Sequence, residues 1–180
     1  MRKALMVLAV LALLGSFASA KKMAILNFNK GEMPDDNNAC TVSLSEEHGD
    51  KEGDFTLKLE FAAKSKDATP WSAVFQPKKA AWSAFTKVKF NVFNPSDKEV
   101  KMGWMIKGAK GSNGPENRKD WEVKLPPGKS EQEIKITDVK CNDGTSPLDC
   151  SKIYIWAFWN LEEQPMTVFV QKLWLEDDAK

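Results

Sequence analysis

The chain has 180 residues, with 26 lysines and arginines against 25 acids, one histidine, three cysteines and seven tryptophans beside a single tyrosine. A net charge of +1 provides no field to draw in nucleic acid or an anionic membrane. One histidine and the absence of CxxC, HExxH, GxSxG and P-loop patterns argue against a zinc site and the common hydrolase and nucleotide-binding classes.

The first twenty residues read as a secretory signal peptide. Arg2 and Lys3 form a basic start, Ala4 to Leu14 is apolar, and Ala18-Ser19-Ala20 is a small-residue cleavage site. The apolar run falls short of the roughly 20 residues of a membrane span. Its removal leaves residues 21–180, about one unit negative, without a membrane span and long enough for one core. The expected location is secreted, periplasmic or at the cell surface.

Ala24 to Asn29 is the first expected strand, followed by a polar, turn-rich stretch. Thr41 to Ser45 is the second, and Phe55 to Phe61 alternates with Phe55, Leu57, Leu59 and Phe61 on one face. Trp71 to Gln76 follows. The run WSAFTKVKFNVFNP then sets Val88, Phe90 and Val92 against Lys87, Lys89 and Asn91, with Phe93 as a large apolar group on the polar face. Asn94-Pro95-Ser96-Asp97 turns the chain into Val100 to Lys107, a hairpin.

Gly108 to Lys119 is glycine-rich and charged, a long loop bearing Asn113, Asn117 and Arg118. Trp121, Val123 and Leu125 alternate before Pro126-Pro127-Gly128, Ile134 and Ile136 mark a further strand, Ile153 to Trp159 is almost wholly apolar, and Met166 to Leu175 closes the pattern. About ten short strands with turns between them, and no helical period after the leader, define an all-β antiparallel sandwich or jelly roll in one domain. Cys141 and Cys150 flank the loop CNDGTSPLDC and are the expected disulfide pair, which leaves Cys40 odd.

Taken in order, AILNFNKGE, TVSLSEEHGDKEGDFTLKLEF, WSAFTKVKFNVFNPSDKEVKM, WEVKLPPGKSEQEIKI, KIYIWAFW and TVFVQKLWLED span nearly all of residues 21–180. Together they resemble the galactose-binding-domain-like jelly rolls that serve as carbohydrate-binding modules of secreted polysaccharide-degrading enzymes. The resemblance implies a two-sheet jelly roll that binds a glycan and performs no chemistry. It also implies a structural calcium held by acidic residues of the first and last strands. The corresponding positions here are the neutral amides Asn29 and Gln171, to which Glu52 and Asp54 could add carboxylates, and the expectation is no metal and no other cofactor.

A sugar ring offers an apolar face that stacks on a flat aromatic and hydroxyls that need amide, carboxylate or guanidinium partners. Trp82 and Trp104 read as core, and the facing of Trp174 is open. The expected ligand-binding set is Trp71, Trp121, Tyr154, Trp156 and Trp159, with Arg118 and Asn160. In IYIWAFW both faces are apolar, so Trp156 is either an outer platform or part of a strand buried on both sides. His48, in the charged turn EEHGD, reads as a solvated residue rather than a base.

The expected function is a secreted non-catalytic carbohydrate-binding protein whose partner is a polysaccharide or other glycan, acting with a separately encoded enzyme or an envelope protein. The alternative is a structural or protein-interaction sandwich of the cell envelope with no sugar ligand. Exposed tryptophans favour the first and buried ones the second.

Overall fold

The structure, a computed structural model, describes residues 20–64, 72–108 and 114–178. Residues 1–19 of the expected signal peptide, Trp71 and Asn113 lie outside the described residues. Among the described residues, no helix is long and apolar enough to cross a membrane.

Two antiparallel sheets face each other. In the first, the spatial order is β3 (Cys40–Ser45), β4 (Thr56–Phe61), β11 (Met166–Glu176), β6 (Lys87–Asn94) and β9 (Gly128–Lys135). β1 (Lys22–Ala24) pairs with the end of β11. In the second, the order is β2 (Asp36–Asn37), β5 (Ala73–Phe75), β10 (Ile155–Asn160), β7 (Val100–Lys107) and β8 (Arg118–Leu125).

The alternation that defines the strands also defines the core. Val88, Phe90 and Val92 of β6, Leu57 and Leu59 of β4, and Val168 and Val170 of β11 are fully buried. Facing them from the second sheet are Phe75, Trp156, Phe158, Met102, Trp104, Ile106 and Leu125. Phe90 and Phe158 meet across the gap with ring centroids 5.6 Å apart at 65°. Trp156 lies parallel to Phe75 at 3.9 Å and edge-on to Phe158 at 5.5 Å.

Two buried asparagines close the hairpin-like turns. Asn94 Nδ2 donates to the carbonyls of Lys98 and Leu125 at 2.8 and 2.9 Å, while its Oδ1 accepts from Ser96. Asn160 does the same after β10, donating to Ala62 and Gln164 at 2.8 Å and accepting from the Glu162 N–H.

The expected first strand is displaced. Pairing ends near Ile25, whose N–H reaches the Leu173 carbonyl, and the chain turns through a 3-10 segment at Phe28–Lys30. Phe28 alone of that segment is buried, and Gly31 at φ 74° ends it. The turn-rich stretch before Cys40 contributes β2, two residues long. β8 begins at Arg118, inside the expected loop.

The expected Cys141–Cys150 disulfide is not formed, and all three cysteines are free thiols. Cys150 packs into the main core, its Sγ 3.6 Å from the Ile136 carbonyl, whereas Cys141 is buried outside that cluster. The loop between them is closed by hydrogen bonds instead. The Asp143 carboxylate accepts from the N–H and hydroxyl groups of Thr145 and Ser146, and these hold its pKa well below the usual range. Burial pushes the Cys40 thiol up to about 12 and Cys150 up to about 11. A thiol reagent will therefore titrate three groups per chain in denaturant and react slowly with the native protein in mildly alkaline buffer. A single equivalent in denaturant would restore the disulfide.

Candidate functional site

The outer face of the second sheet carries a mixed surface built by period-2 alternation. β7 and β8 pair Lys107 with Arg118, Met105 with Asp120, Gly103 with Glu122 and Lys101 with Lys124. β10 adds Ile155, Ala157 and Trp159, with Trp159 in register with Gly103.

One half of this face is closed. Met105 and Ala157 are fully buried and Trp159 is 6% exposed, packed with Val74, Ile155 and Leu161 in a cluster apart from the main core. The Trp159 indole lies across Gly103: a Cβ there would sit 1.9 Å from its Cε2. Glycine is required at this point by close approach, not by backbone angle.

The other half is polar. Arg118 Nε stands 3.6 Å from Asp120 Oδ2, and the Asp120 N–H donates to Asn142 Oδ1 at 3.0 Å. Asp120 Oδ1 is buried without a hydrogen-bond partner among the described residues. Burial raises the Asp120 pKa, opposed by the Arg118 charge, a hydrogen bond from the Asn142 side chain and the Lys119 charge. Lys107, 2% exposed, has its Nζ 5.3 Å over the Tyr154 ring. Burial, then the neighbouring Arg118 charge, lowers its pKa. Perturbed acids and bases gathered beside an aromatic are a functional-site signature.

Of the expected ligand set, the structure brings Tyr154, Arg118 and Trp159 to this face. Trp121 does not join them. It is half-buried against Trp104, with ring centroids 5.1 Å apart, because it has the opposite parity to Arg118 and Asp120. Trp156 is a correction: fully buried and stacked on Phe75, it offers no face to a ligand. Asn160 is another, since its whole carboxamide is committed to the turn after β10. Lys107 and Asp120 were missed, although the alternation of NRKDW puts Asp120 beside Arg118.

The outer face of the first sheet is a charge ladder with an aromatic insert. Phe93 is covered by the His48 ring, parallel at 3.7 Å, with Phe169 edge-on to His48 at 4.6 Å. Glu176 accepts from Trp174 Nε1 at 3.0 Å and pairs with Lys22 and Lys89 at 2.9 and 3.6 Å. The Trp174 and Lys22 hydrogen bonds, with the Lys89 charge, hold its pKa down at about 2.

Asn29, Asp54 and Gln171 do gather at the edge of this sheet, around one cleft. They do not fit calcium, which takes about six to eight oxygen ligands. Asn29 donates its Nδ2 to Asp54 Oδ1 at 3.0 Å and accepts the Phe55 N–H at 2.8 Å. Gln171 Nε2 donates to the His48 carbonyl. Amide N–H groups thus point where a cation would need oxygens. Glu52 is exposed, and the described residues hold no group of three His, Cys, Asp or Glu placed for a metal.

Comparison of the fold places it among known jelly rolls. A family 11 carbohydrate-binding module of Clostridium thermocellum, solved with a β-1,3-1,4-mixed-linked tetrasaccharide, matches with a TM-score of 0.58 at 13% identity over 93% of this chain and 94% of that one. The family 30 module of a cellulosomal cellulase from the same organism matches with a TM-score of 0.56 at 12% identity, covering 89% of this chain and 99% of that one. An exo-β-agarase matches with a TM-score of 0.65 at 13% identity, over 88% of this chain but only 25% of its own. No family model and no curated protein matches the sequence. The chain has the β-sandwich jelly-roll fold of carbohydrate-binding modules.

Two outcomes follow from these faces. Gly103→Ala will destabilise the fold by about 1–3 kcal/mol in urea unfolding, and a Trp159→Ala background will remove most of that penalty. Equal penalties in both backgrounds would mean the indole is not the obstacle. The depressed Glu176 pKa contributes stability above its ordinary 4.5 that is lost as pH falls toward about 2. Glu176→Gln will flatten that part of a stability-against-pH curve.

Proposed function

We propose that this chain is a non-catalytic glycan-binding domain, exported by way of residues 1–20, that contacts its ligand through the polar half of the second sheet's outer face. The observation that carries the reading is Asp120. Its buried Oδ1 has no hydrogen-bond partner among the described residues, and a sugar hydroxyl is the neutral donor that fits beside Arg118 without adding charge. Tyr154 supplies an aromatic ring at the same edge. Binding is then led by hydrogen bonds more than by tryptophan stacking.

The fold likeness supports a polysaccharide as ligand. The family 11 module it resembles was solved with a β-1,3-1,4-mixed-linked tetrasaccharide, and the agarase matches over a quarter of its chain. In this reading, cleavage belongs to a separately encoded enzyme, or the domain tethers an envelope protein to its glycan.

A second reading is a structural or protein-interaction sandwich. The burial of Trp82, Trp104, Trp156 and Trp159 favours it.

Pull-down on insoluble polysaccharides and a glycan array with residues 21–180 separate the two. Saturable binding to one polysaccharide class is expected, weakened about tenfold or more by Asp120→Asn or by Arg118→Ala. Acidification will weaken binding from a pH above the ordinary aspartate range, because protonation removes the accepting oxygen of a carboxyl whose pKa is raised. No binding to any glycan leaves the structural reading standing.

A further inference from the structure

β11 has three neighbours, and two of them leave a notch. β6 runs along one side, while on the other β4 pairs with Met166 to Val170 and β1 with Trp174 to Glu176. Between β4 and β1, beside Gln171 to Leu173, a cleft of about 590 Å³ opens. That lies within the roughly 300–1,000 Å³ of small-molecule sites.

The notch coincides with a β-bulge. The register against β6 slips between Val170 and Lys172, so Gln171 is the extra residue. Bulges of this kind re-aim a side chain and recur beside binding sites. Gln171 is 8% exposed and lines the cleft, its Nε2 bound to the His48 carbonyl. Its Oε1 is buried with no partner among the described residues. A buried carbonyl oxygen left without a donor is uncommon in a folded protein.

Most charges around the cleft are already matched, and the Asp54 carboxylate, the exception, accepts from the Asn29 amide. Asp50 is held by Lys129 and Lys172, which lower its pKa, and Lys22 pairs with Glu176. Beside the Asp54 carboxylate, the groups left for a ligand are the Gln171 oxygen, the Asn91 carboxamide and the half-buried indole of Trp174, fixed through Nε1 to Glu176, all neutral and suited to ring hydroxyls and C–H groups. An anion finds its lysines occupied, and a cation meets amide N–H groups.

We propose that this cleft is a second ligand site that takes one ring of a neutral sugar. A ring hydroxyl donates to Gln171 Oε1, Asn91 serves the ring edge, and Trp174 covers the apolar face. The inference does not rest on the second-sheet surface. With both in place, the sandwich presents one site on each sheet and bridges two glycan chains, gaining avidity without a new contact.

The test is a titration of the ¹⁵N-labelled chain, residues 21–180, with the methyl β-glycosides of glucose, galactose, mannose and xylose. At least one is expected to shift the Gln171 side-chain amide and the Trp174 indole N–H saturably at millimolar concentration. The Trp174 indole shift should vanish in Gln171→Met, the Gln171 amide shift should vanish in Trp174→Leu, and both should persist in Asp120→Asn. Trp174→Leu keeps the question open should Gln171→Met disturb the His48 contact. If no glycoside moves the two signals, the proposal is overturned. Shifts confined to residues around Arg118 and Asp120 would overturn it while leaving the second-sheet surface intact. Shifts produced by calcium chloride alone would assign the cleft to a cation and also overturn it.

Discussion

The contact between Phe90 of β6 and Phe158 of β10 is the constraint from which the rest of the molecule is built. It sits at the centre of an aromatic group in which Phe158 edges both Trp156 and Phe75, and Trp156 stacks on Phe75. Burying such side chains is worth about 1.5–3 kcal/mol each and fixes the spacing of the two sheets. β10 is covered on both faces as a result, with Trp156 and Phe158 inside and Ala157 and Trp159 outside. Most of the unusual tryptophan content is thereby committed to packing. The indole N–H groups of Trp104 and Trp156 are buried without partners among the described residues, an unfavourable term the hydrophobic contacts outweigh.

With the aromatics inside, recognition falls to polar groups, and these divide by what they already hold. Asn94 and Asn160 use their carboxamides to tie backbone to backbone, and Asn29 ties the Asp54 carboxylate to the Phe55 N–H. Asp120 and Gln171 keep one oxygen each in reserve, on opposite sheets. Both oxygens are shielded from bulk water, where a hydrogen bond to a ligand is electrostatically stronger than at an open surface.

The sandwich was legible in the sequence because its signal is local. The alternation of KVKFNVF and FTLKLEF assigns inner and outer faces correctly, and Asn94-Pro95 marks its turn. IYIWAFW resisted because an apolar residue at every position erases the parity that distinguishes core from surface, which left platform and packing both open for Trp156. Asn160 was misassigned for a different reason. Its role depends on Ala62, far away in sequence, which no spacing rule reports. The cleft beside β11 was out of reach for the same reason, being made by two strands that pair with different halves of a third. The family resemblance pointed to Asn29 and Gln171 as the calcium positions, their neutral amides already argued against the ion, and their hydrogen-bond directions add a second reason.

The position of β11 in the chain has a consequence for how this protein is made. The strand lies between β4 and β6 and also holds β1, yet it is the last of the eleven described strands to leave the ribosome. Until it arrives, β4 and β6 have no strand to join them, and the first sheet remains two separate pieces. Contacts this distant in sequence form slowly, after a large loss of chain entropy. The first sheet is therefore completed only when β11 has been made and finds partners synthesised long before it.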